Sequence, residues 1–257
     1  MRRELHAEWT KLRTLTATPW LVLAIVAVTV GMSAAVSAAV SCSSAGCGHD
    51  AGKLSLAGIQ LSQAAVAMLA VLAVSGEYST GMIRTTLTAM PRRTAVLAAK
   101  AAVLAGIALA AGVVAVAASL LAGRLILPSS GFTPAHGYPL LSLADGAMLR
   151  AAVGSVLYLA LVALLSLGMA AAVRDSAVAM GAVLCLLYLF PIVALMLGDP
   201  DWHRQLAQIS PDAGLAIQAT ADLGELPVRP WAGLGVLAAW AAAALTGGGL
   251  LLRLRDA

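Results

Sequence analysis

Long uncharged apolar runs alternate with short polar segments along this chain. Six runs of about 20 residues or more carry no Asp, Glu, Lys, Arg or His. They cover 20–40, 54–75, 101–123, 151–173, 176–198 and 230–252. Because an α-helix rises about 1.5 Å per residue, each run is long enough to cross the roughly 30 Å hydrocarbon core of a bilayer. The pattern predicts an all-α, polytopic membrane protein with six transmembrane helices.

The predicted spanning helices extend beyond some of these runs. Their predicted ranges are 20–40, 54–75, 94–123, 148–173, 176–198 and 230–252. We interpret 1–257 as a single transmembrane domain, with 199–229 as its longest external loop. A short amphipathic helix interrupted by Pro211 could form over Leu206–Ala219, and a plain exposed loop is the alternative.

The first 18 residues are amphipathic. Leu5, Trp9 and Leu12 recur at helical spacing, and charged residues occupy the rest of the circumference. This predicts an interfacial helix over 1–18 that lies among lipid headgroups. A solvated basic tail is the alternative. The first apolar run is too long for the core of a cleavable signal peptide, so we expect the N-terminus to be retained.

Composition and charge support a membrane location. The chain is 61% hydrophobic and only 11% charged, whereas about a quarter of the residues in soluble proteins are charged. Its net charge of +4 is not clustered on a solvated domain, so no nucleic-acid partner is expected. Five of the sixteen Lys and Arg residues fall on the side opposite the N-terminus: Lys53, Arg124, Arg150, Arg204 and Arg229. The positive-inside rule then predicts a multi-pass protein of a bacterial cell (plasma) membrane with both termini cytoplasmic.

The cysteines suggest one local bridge at most. Cys42 and Cys47 fall in a predicted external loop, and their four intervening residues permit either a small disulfide or two free thiols. Three cysteines are too few for a disulfide scaffold and lack the CxxC spacing of a zinc site.

Several kinds of chemistry have no motif in this sequence. No GxxxxGK[ST] phosphate loop, HExxH metal motif or GxSxG nucleophile elbow occurs. We therefore expect a non-enzymatic chain that binds no cofactor or metal. The uncharged spans argue against an ion-coupled transporter and suit an apolar or amphipathic cargo. Gln60, Ser62 and Gln63 either face a cargo or bond a neighbouring helix.

A polar, threonine-rich interruption follows the second apolar run. Ile83, Leu87 and Met90 lie at i, i+4 and i+7, which predicts a short cytoplasmic helix over 77–91, with Glu77 in its first turn. An ordinary positively charged loop is the alternative. Lys100 is predicted to extend back to the membrane surface.

The same interruption resembles a known family. Its pattern is E-x3-G-x2-R-x2-L-x3-P-x-R-x6-K, formed by Glu77, Gly81, Arg84, Leu87, Pro91, Arg93 and Lys100. This is similar to the hallmark segment of ABC-2 type permeases, especially the six-helix actinobacterial ones. The opening helix and the Arg174-Asp175 turn are similar to that family as well.

The resemblance implies an ATP-driven exporter in which 77–91 is a coupling helix. It implies that this helix docks on a separate ABC ATPase subunit, which carries ATP and magnesium, and that two permease chains, identical or not, assemble in the membrane lipid. Ile83 and Leu87 would dock, and Arg84, Arg92 and Arg93 would contact the ATPase or lipid headgroups. The implied cargo is a drug, antibiotic, peptide or lipid. The alternatives are a membrane sensor or immunity protein that binds an antimicrobial peptide or lipid without moving it, and a membrane enzyme with dispersed catalytic residues.

Overall fold

The computed structural model describes residues 2–14, 17–42, 47–79, 93–196, 200–221, 223–224 and 226–254. Every regular element in these residues is helical. The α-helices are α1 (Arg2–Thr14), α2 (Ala17–Ala39), α3 (Ala51–Ser55), α4 (Ile59–Ser79), α5 (Arg93–Ile126), α6 (Gly146–Val173), α7 (Ser176–Met196), α8 (Pro200–Ile209) and α9 (Pro230–Leu254). Two 3₁₀ helices cover Pro134–His136 and Pro211–Gln218.

Six of the helices are long and apolar enough to cross a membrane: α2, α4, α5, α6, α7 and α9. The predicted all-α, six-span architecture of a multi-pass membrane protein is therefore confirmed at this level. Successive spans run in alternate directions. We call one end of the bundle the α1 end, which includes the start of α5 and the α6–α7 turn. The other end holds Cys42 and Cys47 and is called the disulfide end.

Helix α6 forms the centre of the bundle. In the most apolar stretches of Ala51–Glu77, which contains most of α4, and of α6, 67% of the residues are buried, compared with 22% in α2, 17% in α7 and 22% in α9. Helix α6 packs against α4, α5, α7 and α9, and its buried side chains join one continuous apolar core. The less buried helices expose large apolar residues such as Leu23, Val178 and Trp231. These faces suit contact with lipid or with another apolar surface.

Close contact between α6 and α9 depends on glycine. A Cβ atom on Gly168 would lie 2.4 Å from the carbonyl carbon of Ala244, and one on Gly248 would lie 2.5 Å from the carbonyl oxygen of Gly168. Ala244 and Gly248 are four residues apart on α9, the spacing at which small residues let two membrane helices approach. Gly247 has open space around it instead. The crossing therefore depends on individual positions within the run Gly247–Gly249.

Several helix boundaries differ from the predicted ones. Helix α4 begins at Ile59, later than predicted, because the separate helix α3 precedes it. Glu77, the first residue of the predicted 77–91 helix, lies in α4, which the structure describes as far as Ser79. The rest of that prediction, including Gly81, Ile83, Arg84, Leu87, Pro91 and Arg92, lies outside the described residues. Helix α5 begins at Arg93.

The segment between α7 and α9 is helical over much of its length. Helix α8 ends at Ile209, and the 3₁₀ helix Pro211–Gln218 follows after Ser210. Proline has no backbone N–H, but the N–H at the first position of a helix has no partner within the helix in any case. Pro211 therefore separates the two helices without disrupting either. The amphipathic helix suggested over 206–219 is thus two shorter helices. A disulfide also joins Cys42 to Cys47, with Cα atoms 5.8 Å apart.

Candidate functional site

Four charged side chains meet at the α1 end of the bundle. Glu8 and Lys11 come from α1, Glu77 from α4 and Lys100 from α5. The Lys100 Nζ lies 2.8 Å from Glu8 Oε2 and 3.1 Å from Glu77 Oε1. The Lys11 Nζ lies 3.0 Å from Glu8 Oε1 and 3.0 Å from Glu77 Oε1. We call Glu8, Lys11, Glu77 and Lys100 the charge cluster.

The charge cluster is built on one face of α1. Leu5 and Leu12 pack against the apolar core, and Glu8 lies between them at helical spacing, so its carboxylate also faces the bundle. Trp9, on the neighbouring flank of the helix, is 49% exposed. Of the three apolar residues of the predicted interfacial helix, two therefore anchor α1 to the bundle, and the third is available to lipid or a partner.

Lys100 is the centre of the charge cluster. Its ammonium donates to Glu8, Glu77 and the carbonyl oxygen of Ala73, the last at 3.1 Å, so all three of its N–H groups have acceptors. The side chain is only 6% exposed. The prediction that Lys100 extends back to the membrane surface is wrong, because its ammonium turns inward to Glu8 and Glu77 beneath α1.

The carboxylate of Glu77 is shared by two lysines. Its Oε1 accepts from both Lys11 and Lys100. Its Oε2 is buried and has no hydrogen-bond partner among the described residues.

The surroundings of Glu8 and Lys11 on α1 favour the ionised form of both side chains. Burial raises the pKa of Glu8, but the charges and hydrogen bonds of Lys100 and Lys11 outweigh burial, so the pKa lies below its ordinary value. Burial alone would lower the pKa of Lys11. The hydrogen bonds that Lys11 donates to Glu8 and Glu77, together with their charges, outweigh the effect of burial, so the pKa of Lys11 lies above its ordinary value. Both shifts favour the ionised forms that the cluster needs.

The charge cluster adjoins the segment that carries the family resemblance. Helix α4 leads into residues 80–92 and helix α5 leads out of them, and one residue of each helix binds the same face of α1. A displacement of either helix relative to α1 would have to break buried ion pairs. This arrangement couples α1 to α4 and α5.

Polar residues of α4 farther along the span serve packing and a cavity. Gln63 is fully buried and accepts a hydrogen bond from the hydroxyl of Tyr158. The hydroxyl of Ser62 donates to the carbonyl oxygen of Ile59 at 3.1 Å. Both therefore bond within the bundle, whereas Gln60 lines a cavity at the disulfide end.

The disulfide end is closed by a second polar network. The Asp50 carboxylate caps α3 by accepting from the Lys53 amide at 3.1 Å. It also accepts from the Thr220 amide and hydroxyl and from the Ala221 amide. Arg150 of α6 donates to the carbonyl oxygen of Ala219. These bonds hold the end of the 3₁₀ helix Pro211–Gln218 against the spans.

Asp212 lies on that 3₁₀ helix and is poorly solvated. Burial raises the pKa of its carboxyl from 3.8 to about 6, against a smaller opposing effect of the Lys53 charge. The folded protein therefore binds this proton more tightly than the unfolded chain does. No group of three or more His, Cys, Asp or Glu residues in the described part of the chain could hold a metal ion.

The Asp212 shift predicts a loss of stability as pH rises. The contribution of Asp212 to the free energy of unfolding is fully present below about pH 4, where the carboxyl is protonated in both states. It is lost as pH rises through about 6, the pKa of this carboxyl in the folded protein. We expect Asp212→Asn to stabilise the protein at pH 7.5 by about 2 kcal/mol, allowing for partial solvent exposure. The free energy of unfolding of both proteins, measured in detergent from pH 4 to pH 8, should differ increasingly as pH rises. A difference that is constant over this range would contradict the prediction.

Comparison of the chain with protein-family models gives no match, and comparison with curated protein sequences gives none either. The functional argument therefore rests on the sequence pattern and on the contacts of the described residues.

The contacts that form the charge cluster were not predicted from the sequence. Glu77 and Lys100 appear in the family pattern, but their contact with α1 does not. The available signal was Glu8 at helical spacing between Leu5 and Leu12, since a carboxylate on an apolar face needs a buried partner.

Proposed function

We propose that this chain is the membrane-spanning permease subunit of an ATP-driven exporter of the ABC-2 type. In this proposal it lies in a bacterial plasma membrane with both termini in the cytoplasm, so that the α1 end is cytoplasmic. A separate ATPase subunit binds residues 80–92 and α1. The cargo is an apolar or amphipathic molecule, in keeping with spans that are largely uncharged.

The observation that carries the proposal is the position of the charge cluster. A subunit that receives mechanical work needs a stiff connection between its docking segment and its spanning helices. Glu77 and Lys100 flank residues 80–92 on either side, and both are held to α1 through buried ion pairs. Movement imposed on 80–92 would therefore reach α4 and α5 together with α1.

The need for a partner follows from the sequence. The chain has no phosphate loop of the Walker type, so in this proposal ATP and magnesium are bound by the ATPase subunit, and this chain carries out no covalent chemistry. A second permease chain is also part of the proposal. The exposed apolar faces of α2, α7 and α9 offer surface for that chain and for lipid.

Two substitutions in the proposed docking segment test this function. Leu87→Asp places a carboxylate where the proposal requires an apolar contact, and Arg84→Glu reverses a charge. Loss of an interface anchor commonly costs 2 kcal/mol or more, so we expect each variant to weaken ATPase binding by roughly tenfold or more. The measurement is binding and ATP hydrolysis in proteoliposomes that contain the chain and an ABC-type ATPase that copurifies with it.

Matched controls come from the disulfide end. Leu140 and Arg124 are exposed there, so Leu140→Asp and Arg124→Glu make the same chemical changes away from the proposed interface. These controls should leave binding and hydrolysis unchanged. Normal ATP hydrolysis in both docking variants would overturn the proposal.

A further inference from the structure

A cavity of about 330 Å³ lies at the disulfide end, between α3, α4, α7, α8 and the 3₁₀ helix Pro211–Gln218. This volume falls at the lower end of the range for small-molecule sites. Phe190, Leu206 and Val228 supply part of its apolar wall. Its polar lining residues are Lys53, Gln60, Ser210, Asp212 and Gln218.

Two polar atoms of this lining are buried without a partner. Asp212 Oδ1 and Gln218 Nε2 form no hydrogen bond within the described residues. The first is an acceptor and the second a donor, and both belong to side chains that line the cavity. Buried polar groups are nearly always satisfied in native proteins. A ligand that offers both a donor and an acceptor would satisfy the two atoms.

The cavity also holds two opposite charges that do not neutralise each other. Lys53 and Asp212 both line it, yet the burial of the Asp212 carboxyl outweighs the favourable effect of the Lys53 charge. No salt bridge joins Lys53 to Asp212 among the described residues. The cavity is therefore complementary to a group that carries one charge of each sign.

We propose that this cavity binds a zwitterion composed of a primary ammonium and a nearby anion, of the phosphoethanolamine kind. The ammonium donates to the Asp212 carboxylate, and the anion contacts Lys53 and accepts from Gln218. An apolar chain attached to the zwitterion would lie along Phe190 and Leu206. The site is separate from the charge cluster and does not depend on transport.

The wall that carries Asp212 and Gln218 is fixed before any ligand arrives. Its C-terminal end is held by hydrogen bonds from Thr220 and Ala221 to Asp50 and by the bond from Arg150 to Ala219. Helix α6 packs against its middle, where a Cβ atom on Gly214 would lie 2.8 Å from the ring of Tyr158. A site that is already ordered loses little conformational entropy when it binds.

The test is a calorimetric titration of the purified chain in maltoside micelles. The probes are dihexanoyl phosphoethanolamine, dihexanoyl phosphocholine and free phosphoethanolamine. We expect saturable binding of the first, and at least about tenfold weaker binding of phosphocholine because its quaternary ammonium has no N–H to donate. Asp212→Asn and Lys53→Met should each weaken phosphoethanolamine-lipid binding by roughly ten- to a hundredfold.

Comparison of the lipid with free phosphoethanolamine shows whether the zwitterion belongs to a lipid or to a soluble molecule, and a control variant tests whether the effect is specific to Asp212. Tighter binding of the lipid than of free phosphoethanolamine supports a lipid headgroup, and equal binding supports a soluble zwitterion. Asp145→Asn removes an exposed carboxylate at the same end while keeping a good helix cap, and it should bind as the original does. The proposal is overturned by absent binding, by equal binding of the ethanolamine and choline lipids, or by unchanged binding in Asp212→Asn.

Discussion

Replacing Lys100 with methionine should destabilise the protein by about 3–5 kcal/mol, the usual cost of removing one partner from a buried ionic network. Glu8 and Glu77 would then share the single ammonium of Lys11, and the carbonyl oxygen of Ala73 would lose its side-chain donor. Methionine fills a similar volume, so the loss would come from charge and not from a void. The free energy of unfolding in detergent micelles measures the effect.

Lys11→Met is the matched control for that experiment. Lys11 contacts the same two carboxylates, but its side chain is 27% exposed, compared with 6% for Lys100. Water can replace part of what Lys11 supplies, so its removal should cost about 1 kcal/mol. The double variant Lys100→Met with Glu77→Gln should lose less unfolding free energy than the two single variants lose in total. The second change removes the carboxylate charge that the first leaves without its lysine. Equal losses in the two lysine variants would show that Lys100 is not the centre of the network.

The six spans were predictable because their signal is local. An apolar run such as 151–173 must leave water whatever else the chain does, and its length alone gives a spanning helix. Boundaries were less predictable at some positions than at others. The predicted span 54–75 is divided between α3 and α4, which begins at Ile59, whereas α5 begins at Arg93, one residue before its predicted start.

The charge cluster depends on contacts between distant residues. Glu8 and Lys100 are separated by 92 positions, and no periodicity joins them. The sequence cannot distinguish a lysine that extends to the membrane surface from one that turns inward to a carboxylate, because both begin with an apolar stem and one charge. The burial of Asp212 could not be predicted from the sequence either, since it follows from how the 3₁₀ helix Pro211–Gln218 packs against the spans.

The glycine run near the end of α9 shows the same limit, because three identical neighbours have different surroundings. Gly248 touches α6 through its backbone, Gly247 faces open space, and Gly249 has room for a Cβ at 3.4 Å from Leu97. Helical geometry turns adjacent residues about 100° apart, so only one of them can sit at the point of closest approach. Three glycines in a row do not show which of them lies at that point.

Gly248→Leu is therefore expected to force α9 away from α6. Its Cβ would lie 2.5 Å from the Gly168 carbonyl oxygen, and backbone atoms cannot move aside as a flexible side chain can. Overpacking costs 1–3 kcal/mol in most cores and occasionally more. We expect about 3 kcal/mol here, because α6 is the central helix and its contact with α9 is extensive. Thermal unfolding of the purified variant measures this loss.

Gly247→Leu introduces the same side chain one residue earlier, where nothing lies within 4 Å. It shares the change in helix propensity, which favours leucine over glycine by up to about 1 kcal/mol, so it should be neutral or slightly stabilising. The difference between the two variants isolates the steric term at the helix crossing. Similar stabilities would mean that α6 and α9 do not meet at Gly168 and Gly248. A large loss confined to Gly248→Leu would establish that the crossing depends on a side chain being absent at one position.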